Sequence, residues 1–266
     1  MSSEARLSSR LDEALVARGL VETRSRARAL ILAGEVMVNG QTVSRAGAPI
    51  RTGDDVALKA APRFVSRGGE KLSHALQVFD LDVRGLTAAD FGASTGGFTD
   101  VLLQNGATRV YAIDVGYGQL HTRLRQDERV RIMDRTNVRD LISLPEPIDV
   151  VTIDVSFIGL RLVLPAALRV LADDGRIVAL VKPQFEAGRK EIGRGGVVRD
   201  RETHRRVLDE LFDTANSLGL GVSGLTASPL RGPAGNIEFV ALLAPGAPSI
   251  DRNSAIHQAL ADAPSA

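Results

Sequence analysis

From about residue 66 onward, short apolar runs alternate with stretches whose apolar residues fall at helical spacing. Runs at 86–91, 109–114, 130–133, 148–154 and 176–182 have the length and β-branched content of buried strands. Between them, 98–105, 117–125 and 159–171 carry helical patterns. That alternation predicts a largely parallel α/β sheet covered by helices. Leu72, Ala75, Leu76 and Phe79 recur at i, i+3, i+4 and i+7, an amphipathic helix ahead of the first strand. A last helix is expected at about 201–217, with Leu208, Leu211, Phe212 and Ala215 on one face. Two strands near 221–227 and 236–243, joined through SPLRGPAGN, predict an antiparallel hairpin that closes a seven-stranded sheet.

The first 58 residues read differently, as a small α+β module. Leu7, Leu11, Ala14 and Leu15 predict a helix that Gly19 stops, and Thr23 can cap a second one carrying Ala27, Leu30 and Ile31 before Gly34. Val36, Val38 and Val43 then flank Asn39-Gly40, a strong hairpin signal. Residues 59–65, broken by Pro62, are expected to be a linker, 66–245 the main domain, and the Ala-, Pro- and Ser-rich 246–266 a loose tail.

Composition narrows the class. The chain has 266 residues, 44% of them hydrophobic, and a formal net charge of +1, as in a soluble globular protein. No apolar stretch reaches the 18 or more residues of a membrane span, and MSSEARLSSR lacks the apolar core of a signal peptide, so a cytoplasmic location is expected. The absence of cysteine excludes disulfides, thiolate metal sites and cysteine nucleophiles, and no metal site is expected. Because charge is balanced, a nucleic-acid partner must be sought in local patches; Arg18, Arg24, Arg26 and Arg28 form one, which a solvated helix face explains equally well. Only Lys59, Lys71, Lys182 and Lys190 are lysines, against 33 basic residues in all. Lysine, unlike arginine, can lose its proton near neutral pH, which singles these positions out.

The first strand of the main domain ends in ADFGASTGGF, an acid (Asp90) followed by a glycine-rich turn. Gly92, Gly96 and Gly97 allow a sharp turn and close ligand approach, with the helix from Phe98 presenting its amides to the site. The second strand ends in Asp114, about 20 residues later, where a Rossmann-like fold hydrogen-bonds a ribose diol. A dinucleotide fold would carry G-x-G-x-x-G; the acid-first D-F-G-A-S-T-G-G suits S-adenosylmethionine better than NAD.

Ligands in such sheets sit beyond the carboxyl ends of the strands. Four polar residues stand out: Asp154 ends VVTID, Lys182 ends RIVALV, Glu238 interrupts the apolar strand NIEFVALL, and Lys71 opens the helix ahead of the first strand. Burial lowers a lysine pKa and a neighbouring carboxylate raises it, so such a cluster can tune a lysine as a base. The roles expected are Lys182 as the base that takes a ribose 2′-OH proton, Asp154 and Glu238 as its orienters, and Lys71 as a second cation polarising the hydroxyl. Methylation at pyrimidine carbon five needs a cysteine, and amine methylation usually employs Asn/Asp-Pro-Pro-aromatic where this chain has DVSF, leaving oxygen as the acceptor.

The segment RLDEALVARGL…TRSRARALILAGEVMVNGQTV resembles the small RNA-binding domain of ribosomal small-subunit protein four. That resemblance implies RNA contacts at Arg10 and Arg24, supported by Arg18, Arg26 and Arg28. With it, SRGGEKL, DFGASTGGFTDVLL, AIDVGYGQL, RTNVR, DVSFI, LVKPQFE, GGVVRD and SPLRGPAGNIEF resemble the TlyA-type, FtsJ-like family of cytidine 2′-O-ribose methyltransferases acting on ribosomal RNA, also labelled hemolysins. The resemblance implies a Rossmann-like seven-stranded S-adenosylmethionine-dependent methyltransferase sheet, with the family's Lys-Asp-Lys-Glu tetrad at Lys71, Asp154, Lys182 and Glu238. It places Gly92, Ser94, Thr95, Gly96, Gly97 and Phe98 along the cofactor, Asp114 on its ribose and Asn137 near its adenine, and Asp90 is expected to bind the cofactor with them. Phe64 stands where the family often has tryptophan. Arg67, Arg135, Arg139, Arg189 and Lys190 are the further RNA contacts expected, and 186–196 is expected to be a flap ordered by substrate. The partner implied is ribosomal RNA within ribosomal subunits, rather than DNA or a membrane, bound by a monomer. A binding-only ribosome assembly factor and a membrane-acting hemolysin are the competing readings.

Overall fold

Asn39 and Gly40, with φ of 49° and 77°, make the two-residue turn between β2 (Val36–Val38) and β3 (Gln41–Thr42), as their sequence predicts. The structure, a computed structural model, describes residues 8–59, 62–188 and 191–264. Leu7, Arg189 and Lys190, named above, lie outside the described residues. The chain divides into two units, one ending at Pro62 and the other beginning at Arg63.

In the smaller unit β1 (Ser8–Arg10) precedes α1 (Leu11–Ala17) and α2 (Arg24–Leu32), and β4 (Pro49–Arg51) and β5 (Val56–Leu58) follow the hairpin. Thr23 caps α2 by accepting the Arg26 amide at 3.2 Å. Leu11, Leu15, Ala27, Ile31 and Val36 are wholly buried and form its core. The first helix thus begins at Leu11, because residues 8–10 pair with β4 instead.

The larger unit opens with α3 (Gly68–Val78) and β6 (Thr87–Phe91), then α4 (Gly97–Gln104), β7 (Arg109–Ile113), α5 (Thr122–Arg125), β8 (Val130–Met133) and β9 (Ile148–Ile153). Next come α6 (Leu164–Val170), β10 (Leu171–Val181), α7 (Pro183–Glu186), α8 (Arg201–Ser217), β11 (Leu220–Ala227), β12 (Phe239–Pro245) and α9 (Arg252–Ala261). The seven strands are ordered β11-β12-β10-β9-β6-β7-β8, with β12 antiparallel to both neighbours and the other pairs parallel. Alternate residues of β10 feed opposite faces: Ile177, Ala179 and Val181 pack with α8, Val178 and Leu180 toward α3 and α4.

Several expectations change. The helix at 117–125 shrinks to the single turn of α5, since Gly118 takes φ of 67° ahead of it. The helix at 159–171 splits into a 3-10 turn, Leu160–Leu162, and α6, whose second residue is Pro165. Phe64 and Val65, placed in the linker by sequence, pack into the larger unit: a Cβ on Gly69 would lie 2.4 Å from the Phe64 ring, and the Val65 amide donates to Asp100 at 2.9 Å. The tail is not loose, since α9 buries Ile256 and Ala259 against the sheet layer containing α8. Glu238 precedes β12 rather than interrupting it.

Candidate active site

The order of strands decides where the site lies. β6 has β9 on one side and β7 on the other, so the connections diverge there and leave a crevice at the carboxyl ends. Gly92 follows β6 with φ of 88° and sits against the chain leaving β9: a Cβ on it would fall 2.7 Å from the Asp154 carbonyl oxygen. The Asp154 amide in turn donates to Phe91 O at 2.9 Å. The atoms that a side chain at 92 would meet, in Asp154 and Val155, are all backbone and cannot swing away. Gly92→Ala is therefore expected to cost about 1–3 kcal/mol of strain and to weaken S-adenosylmethionine binding at least about tenfold. Calorimetric titration checks this, and an unchanged dissociation constant would remove the turn from the cofactor site.

Lys71, Asp154, Lys182 and Glu238 line one cavity of about 270 Å³, together with Ser94 and Phe98. Lys71 comes from the first turn of α3, Asp154 directly follows β9, and Lys182 directly follows β10. Glu238 reaches the same edge because β12 runs antiparallel to β10, with Phe239 opposite Val181. Lys182 Nζ lies 2.6 Å from Asp154 Oδ1 and donates to Val155 O (2.9 Å) and Ser156 Oγ (3.1 Å). Lys71 forms a buried ion pair with Glu238, whose other oxygen accepts from Gln184 Nε2 at 3.2 Å. Glu238 therefore orients Lys71 and not Lys182, so the tetrad is two lysine–carboxylate pairs rather than one lysine with two orienters. Burial raises the Asp154 carboxyl pKa, against the pull of Lys182.

A second cavity of about 330 Å³ shares Gly92, Ser94, Asp154 and Ser156 with the first and continues over Asp114 and Asn137. Asp114 accepts the Ser94 amide at 2.9 Å and the Gly116 amide at 2.7 Å. The two carboxylate oxygens have about four lone-pair sites between them, which leaves capacity for a ribose diol. Asn137 Oδ1 accepts the Arg139 amide at 3.1 Å. The adjoining cavities suit a ligand with a nucleoside at one end and a reactive group at the other, and small-molecule sites occupy about 300–1,000 Å³. Of the other residues expected along the cofactor, Thr95, Gly97 and Phe98 line the first cavity and Gly96 lines neither. With φ of 96°, Gly96 instead packs where a Cβ would meet Leu124 and Leu120.

Asp90 also lines neither cavity, which corrects its expected contact with the cofactor. It is wholly buried on the α4 side of β6. There it accepts the Thr99 amide (2.9 Å), the Thr99 hydroxyl (2.7 Å) and the Thr152 hydroxyl (3.0 Å), so it anchors the helix that follows the turn. Burial pushes its carboxyl up to about 7.

Periodicity alone singles out none of Ser156, Gln184, Phe157, Phe185 or Arg231. Phe157, in DVSF, takes φ of 65° and is 90% exposed at the mouth of the second cavity, its ring centroid 5.1 Å from that of Phe185. An exposed aromatic at a strained position is the signal that marks it. Arg67 lines the first cavity. Arg135 lies 4.4 Å over the Tyr117 ring, and Arg139 is exposed beside Asn137. The flap expected at 186–196 is tied down in its described part by the Glu191–Arg206 pair (2.5 Å) and by Asn236, which donates to Gly196 O and accepts from the Val198 amide.

In the smaller unit Arg10, Arg24 and Arg28 are not independent cations. All three donate to wholly buried Asp12, at 2.9, 3.2 and 3.0 Å, and the Arg10 guanidinium above all holds that carboxyl well below the usual range. Each keeps about half of its side chain exposed. Arg18 donates to Asp54 O at 2.7 Å, and Arg26 lies exposed on α2.

The family model described as FtsJ-like methyltransferase matches residues 64–244, and that of the S4 domain matches residues 9–56. A 16S/23S rRNA (cytidine-2′-O)-methyltransferase TlyA from Mycobacterium tuberculosis is 45% identical over 236 residues, covering 86% of this chain and 87% of the relative. Hemolysin A of Brachyspira hyodysenteriae is 39% identical over 235 residues, covering 87% and 98%. Among solved structures, a protein from Streptococcus thermophilus described as a candidate hemolysin superposes with a TM-score of 0.74 at 45% identity, covering 97% of this chain and 96% of that one.

Proposed function

The chain belongs to the FtsJ-like methyltransferase family, and from that premise we propose that it methylates the 2′-oxygen of a cytidine ribose in ribosomal RNA. The observation that carries this reading is the meeting of Lys71, Asp154, Lys182 and Glu238 in one cavity that adjoins the Asp114 cavity. S-adenosylmethionine supplies, when bound, a methyl group already activated on sulfur for in-line displacement. Gly92, Ser94, Asp114 and Asn137 would hold its nucleoside end, and Thr95, Gly97 and Phe98 the rest.

What remains for the protein is to align the hydroxyl and remove its proton. Lys182 takes that role, steered by Asp154, Val155 O and Ser156 Oγ. Burial raises the Asp154 carboxyl, which makes it the better acceptor for a proton passed from the neighbouring Lys182. The second pair, Lys71 with Glu238, places a cation where it polarises the same hydroxyl.

The S4 domain supports an RNA substrate, gripped at phosphates by Arg10, Arg18, Arg24, Arg26 and Arg28, contacts that position without reading sequence. Arg67 in the first cavity, and exposed Arg135 and Arg139 on either side of the Thr136–Val138 segment that lines the second, serve the RNA strand entering them; Arg189 and Lys190, which sequence adds to them, lie outside the described residues. A target cytidine paired in folded RNA must be flipped out, and the exposed Phe157 face offers a stacking surface for it. Assembled ribosomal subunits in the cytoplasm, met by a monomer, are the substrate context we favour, because a module this small suits recognition of shape over sequence. Among the described residues no helix is long and apolar enough to cross a membrane.

The test is transfer of labelled methyl from S-adenosylmethionine to purified ribosomal subunits, with the product nucleoside identified. Label in 2′-O-methylcytidine is expected. Label in a base, or none on either subunit or on naked ribosomal RNA, would overturn the assignment.

A further inference from the structure

The catalytic cavity is connected to the end of the chain. After α9, the Pro264 carbonyl accepts Nη2 of Arg231 at 2.9 Å, while Nη1 of the same guanidinium donates to Gly235 O at 3.0 Å. Arg231 also lines the cavity that holds the tetrad. Its loop is closed on itself: Ser228 N donates to Glu238 O (2.8 Å), Gly232 N to Asn236 O (2.9 Å) and Gly235 N to Gly232 O (2.8 Å). Gly232, the next residue after Arg231, lies so close to the Glu238 carboxylate that a Cβ there would be 2.5 Å from Oε1. A continuous path of contacts therefore runs from Pro264 through Arg231 and Gly232 to Glu238, and from Glu238 to Lys71. At its far end the path is rooted by α9, where Arg252 pairs with Asp213 at 2.6 Å and lies 5.2 Å over the Phe212 ring.

We propose that Arg231 is a positioning residue, and that α9 with the segment ending at Pro264 is a strap that holds the 228–237 loop against Glu238 and so keeps Glu238 on Lys71. The guanidinium is suited to this because its planar fork binds two carbonyls at once from segments far apart in sequence. The proposal rests on the reading of Glu238 and Lys71 as part of the methyl-transfer machinery, and its test includes a readout that does not need transfer.

Three variants are compared with the full chain: one ending at Asp262, which keeps α9 and its Gln258–Asp262 contact, Arg231→Ala, and the two combined. With only four lysines in the chain, acylation by an amine-reactive ester can be followed site by site by mass spectrometry, exposed Lys59 serving as the internal reference. Lys71 is expected to acylate several-fold faster, relative to Lys59, in either single variant and no faster in the combined one, because both changes break the same path. Lys182 should be unaffected. The turnover number should fall roughly tenfold with the KM for S-adenosylmethionine unchanged, and Arg231→Lys, which can keep one carbonyl, should restore part of it. Equal acylation of Lys71 in all chains, or strictly additive effects, would overturn the strap. Faster Lys71 acylation in a protein that transfers no methyl in any form would support the strap while removing the proposed activity. Should the truncated chain fail to fold by circular dichroism, Arg231→Ala and Arg231→Lys decide the matter by the same readouts.

Discussion

Lys182→Ala is expected to lower methyl transfer by about 10²–10⁴-fold, the usual contribution of a general base, with S-adenosylmethionine and RNA binding retained. Lys182 meets Asp154 and Ser156 in the cavity that also holds Lys71 and Glu238, while the residues over Asp114 lie in the adjoining space. The informative companion is Lys182→Arg. Arginine would preserve a cation beside Asp154, so an enzyme that needs only the ion pair would keep most of its rate. A guanidinium, however, cannot release its proton in a protein, so an enzyme that needs a base would be as inactive as the alanine variant. Single-turnover rates of the three proteins on the same RNA check this, and substantial activity in Lys182→Arg would move the base elsewhere.

The largest effect on stability is expected at Asp90. Its carboxyl rises from 3.8 to about 7 on folding because burial outweighs the three hydrogen bonds it accepts from Thr99 and Thr152. Between these values the native state holds a proton that the unfolded chain has lost, so stability falls as pH rises from about 4 to 7 and stays reduced above that. Each unit is worth about 1.4 kcal/mol, giving a total on the order of 4 kcal/mol. Asp90→Asn fits the same positions, its oxygen facing Thr99 and its amide donating to Thr152, without a charge to lose. Urea unfolding across pH 4–8 should therefore show a flatter profile for Asp90→Asn than for the parent chain and a more stable variant at pH 8. Parallel profiles would show that Asp90 carries no such penalty. Asp90→Ala, by contrast, removes the acceptor of buried donors and should destabilise at every pH.

Much of the architecture was legible because its signals are local. Apolar runs bounded by turns marked five parallel strands, Asn39-Gly40 marked a hairpin, and Thr23 marked a cap; each depends on neighbours within a few residues. The glycine turn of DFGASTGG was legible for the same reason, since a turn that needs φ of 88° at Gly92 announces itself in residue type. The tail was misread because α9 buries only Ile256 and Ala259, too few for a helical period to show, while its Ala and Ser content resembles a linker. Asp90 was misread because sequence shows an acid at a strand end but not which side of the sheet it faces.

By itself, then, the amino-acid sequence determined which residue types were available and which elements carried them: a small α+β module with clustered arginines, a parallel α/β sheet, and two lysines and two acids near strand ends. Only the tertiary structure decided who meets whom. The placement of β9 beside β6 brought Asp154 against Gly92, and the antiparallel run of β12 along β10 brought Glu238 to the edge where Lys182 emerges. The pairing of Lys182 with Asp154 and of Lys71 with Glu238, the burial of Asp12 beneath three arginines, and the reach of Pro264 to Arg231 follow from such long-range contacts. Propensity and periodicity act over a few residues, whereas strand order is set by burying both faces of one sheet at once, and no local pattern encodes that.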